Sequence, residues 1–148
     1  MISKQELRGG ARKRKVSLDL IEKDYVLGWV LCAISLNGIS SKVAFKGGTA
    51  LSKVYFPSNW RLSEDLDFTM LEDNRVEDIT KEQISDLPSV MREISGIESR
   101  VHGEVYSNDN YLQFRLQYDG PISRNTVKIE FSSEIFVGAT IKKGIPKV

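Results

Sequence analysis

The sequence predicts an α+β domain in which a mixed or antiparallel sheet is flanked by helices. Two patterns predict this class. Apolar residues recur at three- and four-residue steps near the N-terminus, as in an amphipathic helix, and later runs alternate or are rich in β-branched and aromatic residues, as in strands. The 148 residues, 41% of them hydrophobic and 28% charged, are typical of one globular domain and exclude a disordered chain. We expect a single domain over residues 1–148.

Two long helices are predicted. Ser17 is a suitable N-cap for a helix over residues 18–36, and the turn chemistry of residues 37–38 ends it. Residues 75–97 also have helical periodicity, with a break at Pro88, and we expect this helix to cover the sheet.

The strands follow from alternation and from turn residues. Residues 43–45 form a short apolar run, and residues 65–70 alternate carboxylates with apolar side chains. Three later runs, separated by Asn-, Asp- and Gly-rich turns, predict an antiparallel meander. These runs are residues 99–106, 111–118 and 126–132. The pattern of residues 141–148 hints at one more strand.

The composition limits the chemistry that the chain can perform. Cys32 is the only cysteine and His102 the only histidine, which excludes an internal disulfide and metal sites that need several such ligands. Carboxylates remain as metal ligands, and they favour Mg²⁺ or Mn²⁺. The chain lacks a run that could span a bilayer and a recognisable export signal, so we expect a cytoplasmic protein with no membrane partner.

The charge gives little information about partners. A net charge of +1 carries no global bias towards nucleic acid. A basic cluster lies near the N-terminus, and we interpret it as solvated surface in preference to an RNA-binding arm. Its members are Arg8, Arg12, Lys13, Arg14 and Lys15.

A glycine pair lies between the strand at residues 43–45 and a predicted short helix. Gly47 and Gly48 let the backbone approach a ligand, and a helix N-terminus presents free N–H groups, which suits polyphosphate. Thr49 adds a hydroxyl, and Lys53 lies one helical turn later on the same face. Further candidate counter-charges are Lys46 and Arg61. Taken alone, such a pair is more often only a tight turn with a capping threonine.

Two aspartates strengthen the phosphate interpretation. Asp65 and Asp67 are two residues apart in a predicted strand, so both carboxylates point to one side while Leu66 and Phe68 face the core. Neighbouring carboxylates bind hard divalent ions together with substrate phosphates, which is the chemistry of phosphoryl or nucleotidyl transfer. The alternative, a solvated strand edge, explains poorly why both lie just downstream of a phosphate-type turn.

Glu130 is the third candidate acid. It is flanked by Ile129 and Phe131, which we expect to point inwards, so Glu130 projects to the other face of its strand. An exposed glutamate paired with Lys128 or Arg115 across strands is an equally good interpretation, because strand register cannot be read from the sequence.

Two segments together resemble the signature of the AbiEii/AbiGii nucleotidyltransferase toxin family. They are residues 46–55 (KGGTALSKVY) and residues 61–68 (RLSEDLDF). Residues 22–27 and 127–131 resemble the segments that flank this signature, so the resemblance covers roughly residues 17–135.

The resemblance implies a polymerase-β-like nucleotidyltransferase fold. It also implies the toxin of a toxin–antitoxin or abortive-infection pair, with a nucleoside triphosphate and Mg²⁺ as substrate and cofactor, and with tRNA as the acceptor of some relatives. Carried over by position, the glycines with Thr49 would hold the triphosphate, and Asp65 and Asp67 the metals. Ser63 would sit beside them, and Glu130 would take the third-acid position. The threonine in place of serine and the longer interval at residues 57–60 are departures that this family tolerates.

The family's members usually continue into a helical C-terminal half with a further lysine and aspartate, so we expect this chain to be a truncation or a fragment. Three functions stay open. The first is a nucleotidyltransferase acting on RNA or protein. The second is an inactive module that binds a partner such as an antitoxin. The third is a phosphotransferase or nuclease that uses the same carboxylates. The nucleotide, the acceptor and the oligomeric state cannot be read from the sequence.

Overall fold

The computed structural model describes residues 1–46 and 64–133. In this part of the chain the helices are α1 (Lys4–Arg14), α2 (Leu18–Leu36) and α3 (Lys81–Ser95), and the strands are β1 (Val43–Lys46), β2 (Asp65–Met70), β3 (Glu98–Asn108), β4 (Tyr111–Asp119) and β5 (Arg124–Ser132). The predicted short helix after Thr49 and the predicted strand at residues 141–148 lie outside the described residues.

The five strands form one sheet in the order β1-β2-β5-β4-β3. The meander β3-β4-β5 is antiparallel, as predicted, and β1 is antiparallel to β2. The central pair, β2 and β5, is parallel. The sheet is therefore mixed, which confirms the α+β class.

Helix α2 has the bounds that the sequence predicts. The side chain of Ser17 accepts a hydrogen bond from the backbone N–H of Leu20 at 3.3 Å, which satisfies one of the free donors of the first turn. The helix packs against α3, and its buried face includes Val26, Leu27 and Val30. This burial holds the helix on the sheet.

Helix α3 is shorter than predicted and is not broken. It begins at a capping box formed by Thr80 and Gln83, and residues Val76–Asp78 form a separate 3₁₀ turn. Pro88 lies inside the helix, so the predicted break there is wrong. The apolar face of the helix buries Leu87 and Met91 completely, and this packing outweighs the lost N–H bond.

Helix α1 contains most of the basic cluster. It begins at a second capping box, Ser3 with Glu6, and ends at Lys15 in the left-handed region with φ 55°. It buries only Leu7 and Ala11, so apolar periodicity could not reveal it. Basic residues in its last turn complement the negative end of the helix dipole.

The core lies between the helices and one face of the sheet. Phe131 stacks on Phe68 with ring centroids 5.0 Å apart and on Phe114 at 6.2 Å. Alternate residues of the same strands point to the opposite face, which we call the acid face because it carries Asp65, Asp67 and Glu130. Within residues 1–46 and 64–133, no helix is long and apolar enough to cross a membrane.

Candidate active site

The two aspartates of β2 lie on the acid face. Leu66 and Phe68 are buried in the core, as predicted, and this orientation sends the carboxylates of Asp65 and Asp67 to the other side. The alternative of a strand edge is wrong, because β2 is hydrogen-bonded to β1 on one side and to β5 on the other.

Glu130 lies directly opposite Asp67 in the parallel pairing of β2 with β5. Its neighbours Ile129 and Phe131 are completely buried, so its side chain faces the two aspartates. The other interpretation holds in part, because Lys128 Nζ lies 3.0 Å from Glu130 Oε1. The structure thus brings together the three acids that the sequence singled out.

The crowding of these acids changes their protonation. Burial, followed by the hydrogen bond and charge of Glu130 and the charge of Asp65, raises the pKa of Asp67 from 3.8 to about 6, although Lys46 opposes the shift. Burial acts to raise the pKa of Glu130 as well, but the hydrogen bond with Lys128 and the interactions with Tyr111 and Asp67 outweigh it and lower that pKa. The proton that the pair takes up as the pH falls through about 6 therefore binds to Asp67.

Lys46 is the predicted nucleotide-binding residue that the structure describes. It pairs with Asp67 across β1 and β2, and its Nζ lies 2.8 Å from Ser132 Oγ at the end of β5. Lys46 is therefore at the border of the acid face. The other predicted nucleotide-binding residues lie outside the described residues: Gly47, Gly48, Thr49, Lys53, Arg61 and Ser63.

The family model for the nucleotidyl transferase AbiEii toxin of type IV toxin–antitoxin systems matches residues 29–146, more than half of the chain. The chain belongs to the AbiEii nucleotidyltransferase toxin family. This membership confirms the resemblance found in the sequence. No curated protein is significantly similar in sequence.

Two solved structures share the fold. A proposed nucleotidyltransferase from H. pylori superposes with a TM-score of 0.54 at 17% identity, over 88% of this chain and 54% of that chain. The protein JHP933 from Helicobacter pylori superposes with a TM-score of 0.53 at 18% identity, over 79% of this chain and 45% of that chain. The AbiEii chain described here thus spans about half the length of these two relatives.

Sequence reasoning missed the role of Tyr111 on the acid face, and of Lys128 it anticipated the pairing with Glu130 but not the contact with Asp65. Lys128 lies opposite Asp65 and contacts its Oδ2 at 3.8 Å as well as Glu130. Burial and the neighbouring Glu130 raise the pKa of Tyr111 to about 12, and its hydroxyl donates a hydrogen bond to Gln113 Oε1 at 2.9 Å. The alternation of β5 was the signal for Lys128, which shares a face with Glu130.

Nucleotidyltransferases typically use a divalent metal, and the donor chemistry of the acid face suits one. Asp65, Asp67 and Glu130 offer the hard oxygen ligands that Mg²⁺ prefers, and their mutual repulsion favours a cation. As they are oriented, however, no three acidic, histidine or cysteine side chains among residues 1–46 and 64–133 converge on a single metal position. The ammonium group of Lys128 lies close to two of these acids instead.

Proposed function

We propose that this AbiEii-family chain carries the metal- and nucleotide-binding half of a magnesium-dependent nucleotidyltransferase toxin. It transfers a nucleotide from a nucleoside triphosphate to RNA, for example tRNA, or to a protein, and a cognate antitoxin restrains it. The observation that supports this most strongly is the position of Glu130 opposite Asp67 and beside Asp65, in a chain of this family.

The reaction we propose is an in-line displacement. A hydroxyl oxygen of the acceptor attacks the α-phosphorus of the nucleotide, the bond to the bridging oxygen breaks, and pyrophosphate leaves. The hydroxyl proton passes to a carboxylate of the acid face or to water. Bound Mg²⁺ would lower the charge repulsion between the nucleophile, the phosphates and the leaving group.

The roles of the individual residues follow from their positions. Asp65 and Asp67 would bind the metal, and Glu130 would complete the set of acids from the neighbouring strand. Lys46 is the last residue of β1 and immediately precedes the predicted glycine turn, and its ammonium group would meet the phosphates. The glycine turn itself, with Gly47, Gly48 and Thr49, would cradle the triphosphate, and Lys53, Arg61 and Ser63 would assist.

The experiment that tests this function is a calorimetric titration of the chain with GTP, ATP, CTP and UTP, each with and without Mg²⁺. We expect binding of at least one nucleotide that depends on Mg²⁺, and we expect Asp65→Asn with Asp67→Asn to abolish it. The double variant should stay folded because the substitutions relieve like-charge repulsion without disturbing the core.

A matched control removes two negative charges elsewhere. Asp86→Asn with Glu93→Gln changes two exposed residues of α3, which packs on the opposite face of the sheet. This control should bind the nucleotide like the unmodified chain. Equal binding by the acid-face variant would contradict the site, and no binding of any nucleotide would favour an inactive module that acts by occupying its antitoxin. A cytoplasmic location and a single domain stay predictions.

A further inference from the structure

Lys128 is held on the acid face by the strand around it. Val127 and Ile129 are almost completely buried, so the side chain of Lys128 must point to the opposite side of β5. There its Nζ lies 3.0 Å from Glu130 Oε1 and 3.8 Å from Asp65 Oδ2. One ammonium group thus joins acids from two different strands.

This contact involves two of the acids that the proposed metal site would use. An ammonium group and a divalent ion that approach the same carboxylates repel each other, so Lys128 in this position disfavours a metal ion bound to Asp65 or Glu130. The side chain of Lys128 is 29% exposed and that of Glu130 is 24% exposed, so their attraction is screened less than that of a surface pair. The free energy needed to displace Lys128 therefore opposes metal binding.

We propose that Lys128 is a placeholder cation, which holds Asp65 and Glu130 in position without metal and must leave them before a divalent ion binds. This inference rests on the proposed function. It deepens that function by adding a positioning residue that sets the metal affinity of the site. The long and flexible lysine side chain can leave the acids without movement of the strand, because β5 is held by backbone pairing with β2 and β4 and by the buried side chains of Val127 and Ile129.

The test measures the dissociation constant of Mn²⁺ alone, by the electron paramagnetic resonance signal of the free ion, for the 148-residue chain and its variants. We expect Lys128→Met to tighten Mn²⁺ binding about tenfold, since one competing ion pair is removed. Lys128→Arg, which keeps the charge and can bridge the same oxygens, should bind Mn²⁺ no more tightly than the unmodified chain.

Arg115→Met is the matched control. Arg115 is exposed, pairs with Lys128 across β4 and β5 and lies on the same face, but it forms no ion pair with the acids within residues 1–46 and 64–133. Its loss removes one positive charge from the neighbourhood without removing the competing contact. We expect a change of less than about threefold in the Mn²⁺ dissociation constant, because the screening by water weakens its field.

A thermal melt gives a second readout. In chelator, Lys128→Met should unfold at a lower temperature than the unmodified chain because Asp65 and Glu130 lose their cation, and added Mn²⁺ should raise its melting temperature more. Unchanged or weaker Mn²⁺ binding by Lys128→Met, or equal tightening by Arg115→Met, would overturn the placeholder role alone. Absence of Mn²⁺ binding in every protein tested would contradict the assignment of the metal site itself, and with it the proposed function.

Discussion

The carboxylate of Glu22 accepts hydrogen bonds from the backbone N–H and the hydroxyl of Ser123, at 3.2 and 2.8 Å, across 101 residues of sequence. The backbone N–H of Ile122 donates to the same carboxylate. Glu22 is completely buried, and these three donors replace its lost hydration. Helix α2 is thereby fastened to the turn between β4 and β5. Glu22 belongs to a segment that resembles the toxin family, and the structure gives it this architectural role.

The contact between Glu22 and the turn leaves no room at Gly120. A Cβ atom added there would lie 2.6 Å from Glu22 Cδ. We expect Gly120→Ala to destabilise the chain by about 1–3 kcal/mol, because the turn must move away from the carboxylate. Gly9→Ala in α1 is the control, since nothing lies within 4 Å of its added Cβ, and it should stabilise the helix slightly. Urea denaturation measures both, and equal effects would contradict the steric argument.

The contribution of Asp67 to the stability of the metal-free chain should fall as the pH rises through about 4 to 6. The folded pKa of Asp67, about 6, lies above its ordinary value of 3.8, so the folded chain binds a proton that the unfolded chain has released in this range. The contribution of Asp67 is present at low pH and lost above its folded pKa. It amounts to on the order of 1 kcal/mol after allowance for partial exposure.

Asp67→Asn tests this dependence. When the pH is raised from 5 to 8 in chelator, the melting temperature of the unmodified chain should fall by more than that of the variant, which carries no titrating group at this position. The lowered pKa of Glu130 acts in the opposite sense, since its contribution is lost as the pH falls, but in a lower range. Parallel curves for the two proteins would show that Asp67 does not hold a proton in the folded state.

Replacing Pro88 should stabilise the folded chain. This residue lies in the interior of α3, where proline removes a backbone hydrogen bond and crowds the preceding turn. Pro88→Ala is expected to stabilise the chain by about 1–3 kcal/mol, less than the full helix penalty, because alanine also gives the unfolded chain more freedom. Chemical denaturation with circular dichroism measures the change. A loss of stability would mean that the proline ring makes packing contacts that outweigh its backbone cost.

The aromatic stack beneath the acid face should contribute strongly to the free energy of unfolding. Phe131 is completely buried between Phe68 and Phe114, and Phe131→Ala is expected to cost about 3–5 kcal/mol. Phe45→Ala, at the partly buried margin of the same cluster, should cost less because the cavity opens to solvent. Similar losses in equilibrium unfolding would show that the cluster is packed equally at both positions.

Local features of the fold were predictable from the sequence, whereas long-range pairing was not. Ser17, as an N-cap, predicted the start of α2. The alternation at Asp65 and Asp67 predicted both a strand and the face of the sheet on which the two acids lie. The position of Glu130 opposite Asp67 depends on the register between distant strands, which local patterns do not encode. The predicted helix break at Pro88 was wrong because tertiary packing overrides a local helix breaker.

Apolar periodicity also could not reveal α1 or the role of Lys128. Helix α1 has no apolar stripe, and its capping box at Ser3 and Glu6 was the available signal. Lys128 could be placed on the face of Glu130, but the distances that make it a shared partner of two acids require the parallel pairing. The part of the candidate site on residues 47–63 stays a prediction.

The parallel alignment of β2 with β5 also means that two facing acids are made at different times during protein synthesis. Asp67 and Glu130 come from strands separated by a helix and two further strands, so a ribosome that has made the first acid must add every residue between them before the second exists. At typical elongation rates this interval lasts roughly 3–13 s. Throughout this interval the nascent chain contains Asp67 without the acid that lies opposite it, and the acid face can form only after β5 has been made.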